Sequence, residues 1–135
     1  MFYLATYLAV LLVFGVIDAA WLTTMGAVLY RPVLGDILAP SMRIAPAIVF
    51  YLLYPVGLVV FAVIPALRAE SATNALLYGA LFGLFCYSTF ELTSLSLLKH
   101  WTWPVVVVDV CWGSFVTAAA AIIGLMMADW IAPKI

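Results

Sequence analysis

Long apolar runs, each broken by a charge at most once, set the pattern of this chain. Four of them have the length of a membrane span, which needs about 20 apolar residues within a range of roughly 17–25. The first covers 2–24 and stays uncharged until Asp18. The second covers 44–67 with no charge at all, the third 73–98 with Glu91, and the fourth 104–127 with Asp109. Backbone placed in hydrocarbon must satisfy its own polar groups, and these runs lack the in/out alternation of barrel strands, so they read as helices. The pattern predicts an all-α, polytopic membrane protein: a single transmembrane domain over 1–135, built as a four-transmembrane-helix bundle. The stretch from Met25 to Met42 is too apolar for a solvated loop and reads as an interfacial or re-entrant segment after the first helix.

Boundary residues agree with these limits. Pro104 suits the first helical position of the fourth span, where a missing N–H costs nothing. Ser71 or Thr73 can cap the third helix. Pro46, Pro55 and Pro65 predict a kinked or distorted second span. Gly79 and Gly83 form a GxxxG at which a neighbouring helix can approach closely. Trp21, Trp101, Trp103 and Trp130 fall near span ends, as an aromatic interface belt requires.

Composition sharpens the class. Hydrophobic residues make up 69% of the chain and charged ones 8%, against about 45–50% and about 25% in soluble domains. A net charge of −1 with five Lys+Arg excludes a nucleic-acid surface, and membrane lipids are the expected surroundings. Cys86 and Cys111 lie in apolar runs and read as small hydrophobes rather than a disulfide or metal ligands. The N-terminal run lacks a basic n-region and is long enough to stay as a span, so no cleaved leader is expected.

Topology gathers the candidate chemistry. With four antiparallel spans, Asp18, Glu91 and Asp109 fall toward one membrane face, together with Tyr30, Arg31, Asp36, Arg43, Lys99, His100, Trp101 and Trp103. The other face carries Arg68, Glu70, Asp129 and Lys134. A carboxylate at the middle of a membrane helix costs about 2.5–3.5 kcal/mol on insertion scales, so interior acids are functional candidates by default. They persist by pairing with Arg31, Arg43 or Lys99, or by keeping their protons. Asp18, Glu91 and Asp109 are therefore the expected acid/base residues. Arg43, Lys99 and His100 are the expected contacts to a polar substrate head. Trp21, Trp103 and Trp112 are expected to bound the pocket, with Tyr30, Tyr51, Tyr54 and Tyr87 beside it. Asp18–Trp21 and Asp109–Trp112 share the form Asp-x-x-Trp, which puts each carboxylate and indole on one helix face.

Blander readings stand beside these. The acids can simply tie helices together and offset the basic loops, and Tyr51 and Tyr54, with Tyr3 and Tyr7, can be packing aromatics rather than the lining of a lipid-sized groove. His100 is the only histidine, which gives a metal site little support, and no Ser-His-Asp order, Gly-rich phosphate loop or CxxC is present. No cofactor and no metal are expected. Three functions follow: acid/base modification of a lipid or other apolar substrate, an accessory subunit of a larger membrane complex, or a small proton-coupled transporter working as a homodimer. Crowding of the polar residues at one end weighs against a continuous transport path. Arg31, Arg43 and Lys99 against Arg68 and Lys134 lean toward a cytoplasmic site face.

The run from Tyr87 through Glu91 to Leu95, then Trp101-Thr-Trp103-Pro104 and Val108-Asp109-Val-Cys-Trp112-Gly113, resembles the DUF2177 family of small bacterial membrane proteins. Asp18-Ala-Ala-Trp21-Leu22, Tyr30, Gly35 and Phe50-Tyr51-Leu-Leu-Tyr54 fit the same likeness, which covers nearly the whole chain. Where that family more usually has Tyr-Asp-Leu-Thr-Asn, this chain has Phe90-Glu91-Leu92-Thr93-Ser94. The carboxylate is kept on a longer arm, and a hydroxyl stands in for the amide. The resemblance implies a four-helix fold in a bacterial inner membrane and, by loose association, lipid modification nearby. It implies no particular reaction.

Overall fold

The computed structural model describes residues 2–25 and 44–131. The segment expected at the interface, with Tyr30, Arg31, Asp36 and Arg43, lies outside the described residues, as does Lys134. Four helices follow one another: α1 (Phe2–Met25), α2 (Ile44–Ala69), α3 (Ala72–Leu97) and α4 (Trp103–Ile131). All four are long and apolar enough to cross a membrane, and the described residues contain no strand. The chain is a multi-pass, all-helical membrane protein. Large apolar side chains cover its outside: Leu12, Leu53, Phe85 and Phe115 are each more than 60% exposed, as lipid surroundings permit.

The helix limits lie within a few residues of those the hydropathy predicts. The largest difference is at the end of α4, which continues to Ile131 rather than stopping near 127. Leu125 and Ala128 are still buried against the bundle there, so packing carries the helix past its apolar window. Thr102 accepts the first bond of α4 from the Val106 N–H at 3.2 Å, which puts Pro104 in the first turn, where it blocks no helical bond. Between α2 and α3 the chain reverses in two residues. Glu70 takes a left-handed conformation (φ 52°) that ends α2, and the Ser71 hydroxyl accepts the Asn74 N–H at 3.1 Å to cap α3. So tight a turn leaves α2 and α3 antiparallel neighbours.

The distortion expected from the prolines is a single widened turn. Helix α2 runs as α-helix over Ile44–Leu58, as π-helix over Val59–Val63 and as α-helix again over Ile64–Ala69. Pro65 has no N–H for the Phe61 carbonyl and its ring would strike that carbonyl in a regular helix; one extra residue in the turn before it relieves the clash. The widened turn also changes neighbours. The first half of α2 packs principally on α1, and from Val59 onward α2 packs on α3 and, less extensively, on α4.

Helices α3 and α4 make the most extensive contact in the bundle. Gly79 and Gly83 are the reason. A Cβ on Gly79 would lie 2.8 Å from the Ala121 methyl and 2.9 Å from the Ala118 Cα, and one on Gly83 would strike the Gly113 carbonyl oxygen. Small residues on both sides let the two backbones touch. A dry core of Val10, Phe14, Leu58, Ala62, Val63, Val116 and Ala121 fills the middle of the bundle.

Candidate functional site

Counting inward from the helix ends on one face shows how the antiparallel order builds a layer. Asp18 lies seven residues before Met25, Tyr51 seven after Ile44, Glu91 six before Leu97, and Asp109 six after Trp103. At 1.5 Å per residue each stands about 9–10 Å below its helix end. Four side chains from four helices thus share one depth, just above the dry core. Asp18, Glu91 and Asp109 are 6%, 0% and 7% exposed. The sequence-derived convergence of the three acids is what the bundle shows.

The layer divides into two parts. In one, the Tyr51 hydroxyl donates to Asp18 Oδ2 at 2.5 Å and the Trp112 indole N–H donates to Oδ1 at 3.2 Å. Both carboxyl oxygens are satisfied by donors from α2 and α4, so Asp18 clamps three helices. Trp21 stacks on Trp112 with centroids 4.2 Å apart and planes 9° from parallel. Side chains lean toward the N-terminus of their helix, so in antiparallel helices Trp21 leans inward and Trp112 outward until the rings meet. The two Asp-x-x-Trp motifs are joined crosswise: the indole of the second serves the carboxylate of the first.

In the other part, the Trp101 indole N–H donates to Glu91 Oε2 at 2.7 Å. Glu91 Oε1 is buried and has no hydrogen-bond partner among the described residues, although the Asp109 carboxyl lies beside it. Two carboxyls side by side are acceptor against acceptor. A proton between them, or a donor brought by a ligand, completes the arrangement. Tyr87 stands between the two parts, within electrostatic reach of Asp18, Asp109, Tyr51 and Tyr54. Its ring fills the space over Gly113 that a Cβ would need. Beneath it, the Tyr54 and Thr117 hydroxyls share a bond of 2.8 Å. Among the described residues no group of three or more His, Cys, Asp or Glu could hold a metal ion.

The remaining candidates fall at the rim. Lys99 and His100 are exposed in the turn between α3 and α4, and Trp103 is 64% exposed on the outer surface. Trp101 differs from the belt position expected for it. It is 6% exposed, folded back over Phe90 and onto Glu91, and is a site residue that sequence reasoning missed. Its spacing of ten residues from Glu91 fits no helical period, so the turn alone brings the two together. Thr117 was missed as well; its signal is a hydroxyl two helical turns below Asp109. Tyr7 turns out to be a packing residue that donates to the Leu52 carbonyl at 2.8 Å.

Tyr51→Phe tests the Asp18 clamp. A buried acceptor that loses its donor costs about 1–3 kcal/mol, so thermal unfolding in mild detergent is expected to shift down by that equivalent. Tyr7→Phe, which frees a backbone carbonyl at an exposed site, is expected to shift it less.

One comparison bears on this chain. A family profile described as "Predicted membrane protein (DUF2177)" matches residues 3–126. No curated protein and no solved structure matches it.

Proposed function

Because the chain belongs to this family of predicted membrane proteins, we propose that its buried acid layer modifies a lipid or other apolar substrate by acid/base chemistry within the bilayer, in a bacterial inner membrane. The observation that carries this reading is the wholly buried Glu91 Oε1, which lacks a donor and lies beside the Asp109 carboxyl. A structural tie between helices would be built as Asp18 is, with every oxygen bonded. Glu91 Oε1 is left without a donor at the same depth. A proton held there can be given to a substrate atom and taken back, and general acid/base groups of this type contribute about 10²–10⁴-fold to a rate.

The parts take different roles in this mechanism. Asp18 orients Tyr51 and Trp112 and shapes the pocket. Trp101 holds the Glu91 carboxyl through Oε2, beside the Asp109 carboxyl. Tyr87, between the parts, is placed to bond a polar substrate atom. Lys99 at the rim supplies a cationic partner for a polar head, the role that the sequence also gives Arg43. The dry core beneath the layer counts against the transporter reading, since Val10, Phe14, Leu58 and Val116 close the path below the acids within one chain.

The test is untargeted lipid mass spectrometry on cells lacking the protein, complemented with wild type, Glu91→Gln or Asp109→Asn. A lipid species lost in the deletion and restored by wild type alone supports the reading. Restoration by both variants removes it, and recovery of a fixed-ratio protein partner in mild detergent would favour the accessory-subunit alternative.

A further inference from the structure

Where the first half of α2 leans on α1 and its second half on α3, a crevice opens between α2 and α3. Its apex is the widened turn, and its walls are Phe50, Leu53, Val56 and Val60 on one side and Phe82 on the other, with Tyr54 and Gly57 as the floor. Gly57 brings α2 close to Phe82: a Cβ there would come 2.8 Å from the tip of its ring. The crevice has a volume of ≈ 370 Å³. From Phe50 to Phe61 along α2 there are eleven residue steps, about 16 Å at 1.5 Å each. That length is close to half of the ~30 Å hydrocarbon core, the depth over which the chains of one leaflet extend. Apolar side chains line the crevice along that whole length. A hydrocarbon chain matches this apolar lining.

The crevice borders the acid layer through packed rings. Phe50 packs on Tyr51, with centroids 5.2 Å apart, and Tyr51 donates to Asp18. Tyr54 lines the crevice and also meets Tyr87, with centroids 6.3 Å apart. A chain lying along Phe50 to Phe61 therefore has its upper end at the depth of the carboxyls. Leu53, Val56, Val60 and Phe61 are 45–66% exposed, so the crevice opens sideways to the membrane.

We propose that this crevice is a lateral opening that takes one acyl chain of a phospholipid from the leaflet facing the acid layer and so sets the lipid's polar end against Asp18, Glu91 and Asp109. This deepens the acid/base reading and rests on it for the purpose of the binding, though the binding itself can be measured alone. Native mass spectrometry of protein exchanged into mild detergent is the experiment. Wild type is expected to retain one phospholipid per chain. The double variant Val56→Trp, Val60→Trp fills the crevice from its exposed wall and is expected to retain at least tenfold less, as is Leu53→Trp alone. Leu12→Trp, on the lipid-facing side of α1, is expected to retain as much as wild type, and matched unfolding temperatures show that all the variants are folded. Equal retention in all of them overturns the proposal, as does retention of a polyprenyl lipid or a protein in place of phospholipid. Retention in Glu91→Gln separates the two readings. If it persists while that variant restores the cellular lipid profile, the acid/base reading falls and the crevice stands. If crevice-filled variants bind phospholipid like wild type while Glu91→Gln is inactive, the crevice falls and the acid/base reading stands.

Discussion

Glu91→Gln is expected to insert, fold and unfold at or slightly above the wild-type temperature, yet leave the lipid profile of a deletion strain uncorrected. The amide oxygen can still accept from Trp101, and the amide N–H supplies the donor that faces Asp109 in place of an unbonded oxygen. A buried polar group without a partner costs about 1–3 kcal/mol, so the amide removes a penalty rather than adding one. What it cannot do is release a proton. Activity should fall by about 10²-fold or more. Glu91→Leu is the companion: it leaves the Trp101 N–H buried without an acceptor and should lose both activity and stability. Stability lost in Glu91→Gln as in Glu91→Leu would mean that the carboxylate is a structural tie, and activity kept in Glu91→Gln would end its chemical role.

The largest effect on the fold is expected at Gly83. A Cβ there meets the Gly113 carbonyl oxygen and lies 2.9 Å from its carbonyl carbon, and neither atom can yield without moving α4. Gly83→Val should destabilise by about 3 kcal/mol, at the upper end of overpacking costs. Since α3 carries Glu91 and α4 carries Asp109, prying them apart should abolish function as well. Gly15 makes the contrast. Nothing lies within 4 Å of a Cβ at that position, so Gly15→Ala should be neutral or stabilise α1 by up to about 1 kcal/mol through helix propensity. Unfolding of both variants in detergent, followed by far-ultraviolet circular dichroism, checks the pair; equal midpoints would contradict the helix contact.

The membrane class, the four spans and the shared depth of the acids were legible because each follows from one-dimensional quantities: run length, charge position and the alternation of direction. Gly79 and Gly83 were legible because a small-residue spacing maps onto one helix face. The three prolines foretold a distortion in α2 but not its form, since whether a turn widens or kinks depends on what packs against it. Trp101 was illegible for a related reason. Two tryptophans two residues apart look alike in sequence, and the path of the turn buries one against Glu91 while leaving Trp103 to the lipid. The division of the acids into a clamp and a carboxyl pair depends on which carboxyl receives which donor. That is set by side-chain directions across four helices and leaves no periodic trace. Thr117 beneath Tyr54 is hidden in the same way, because a bond over 63 residues of sequence has no local signature.

The stacked indoles of Trp21 and Trp112 give the assembled site an optical signature. Rings 4.2 Å apart and nearly parallel couple their electronic transitions, which gives the pair a circular-dichroism contribution that separated indoles lack. The stack joins α1 to α4 beside the carboxyl layer and breaks if either helix shifts. Near-ultraviolet circular dichroism should therefore change more on Trp21→Phe than on Trp130→Phe, whose indole is 61% exposed at the far end of α4. A lipid that enters the layer and moves either ring should alter the same band. Binding at this site can thus be followed by light alone, before any product is known.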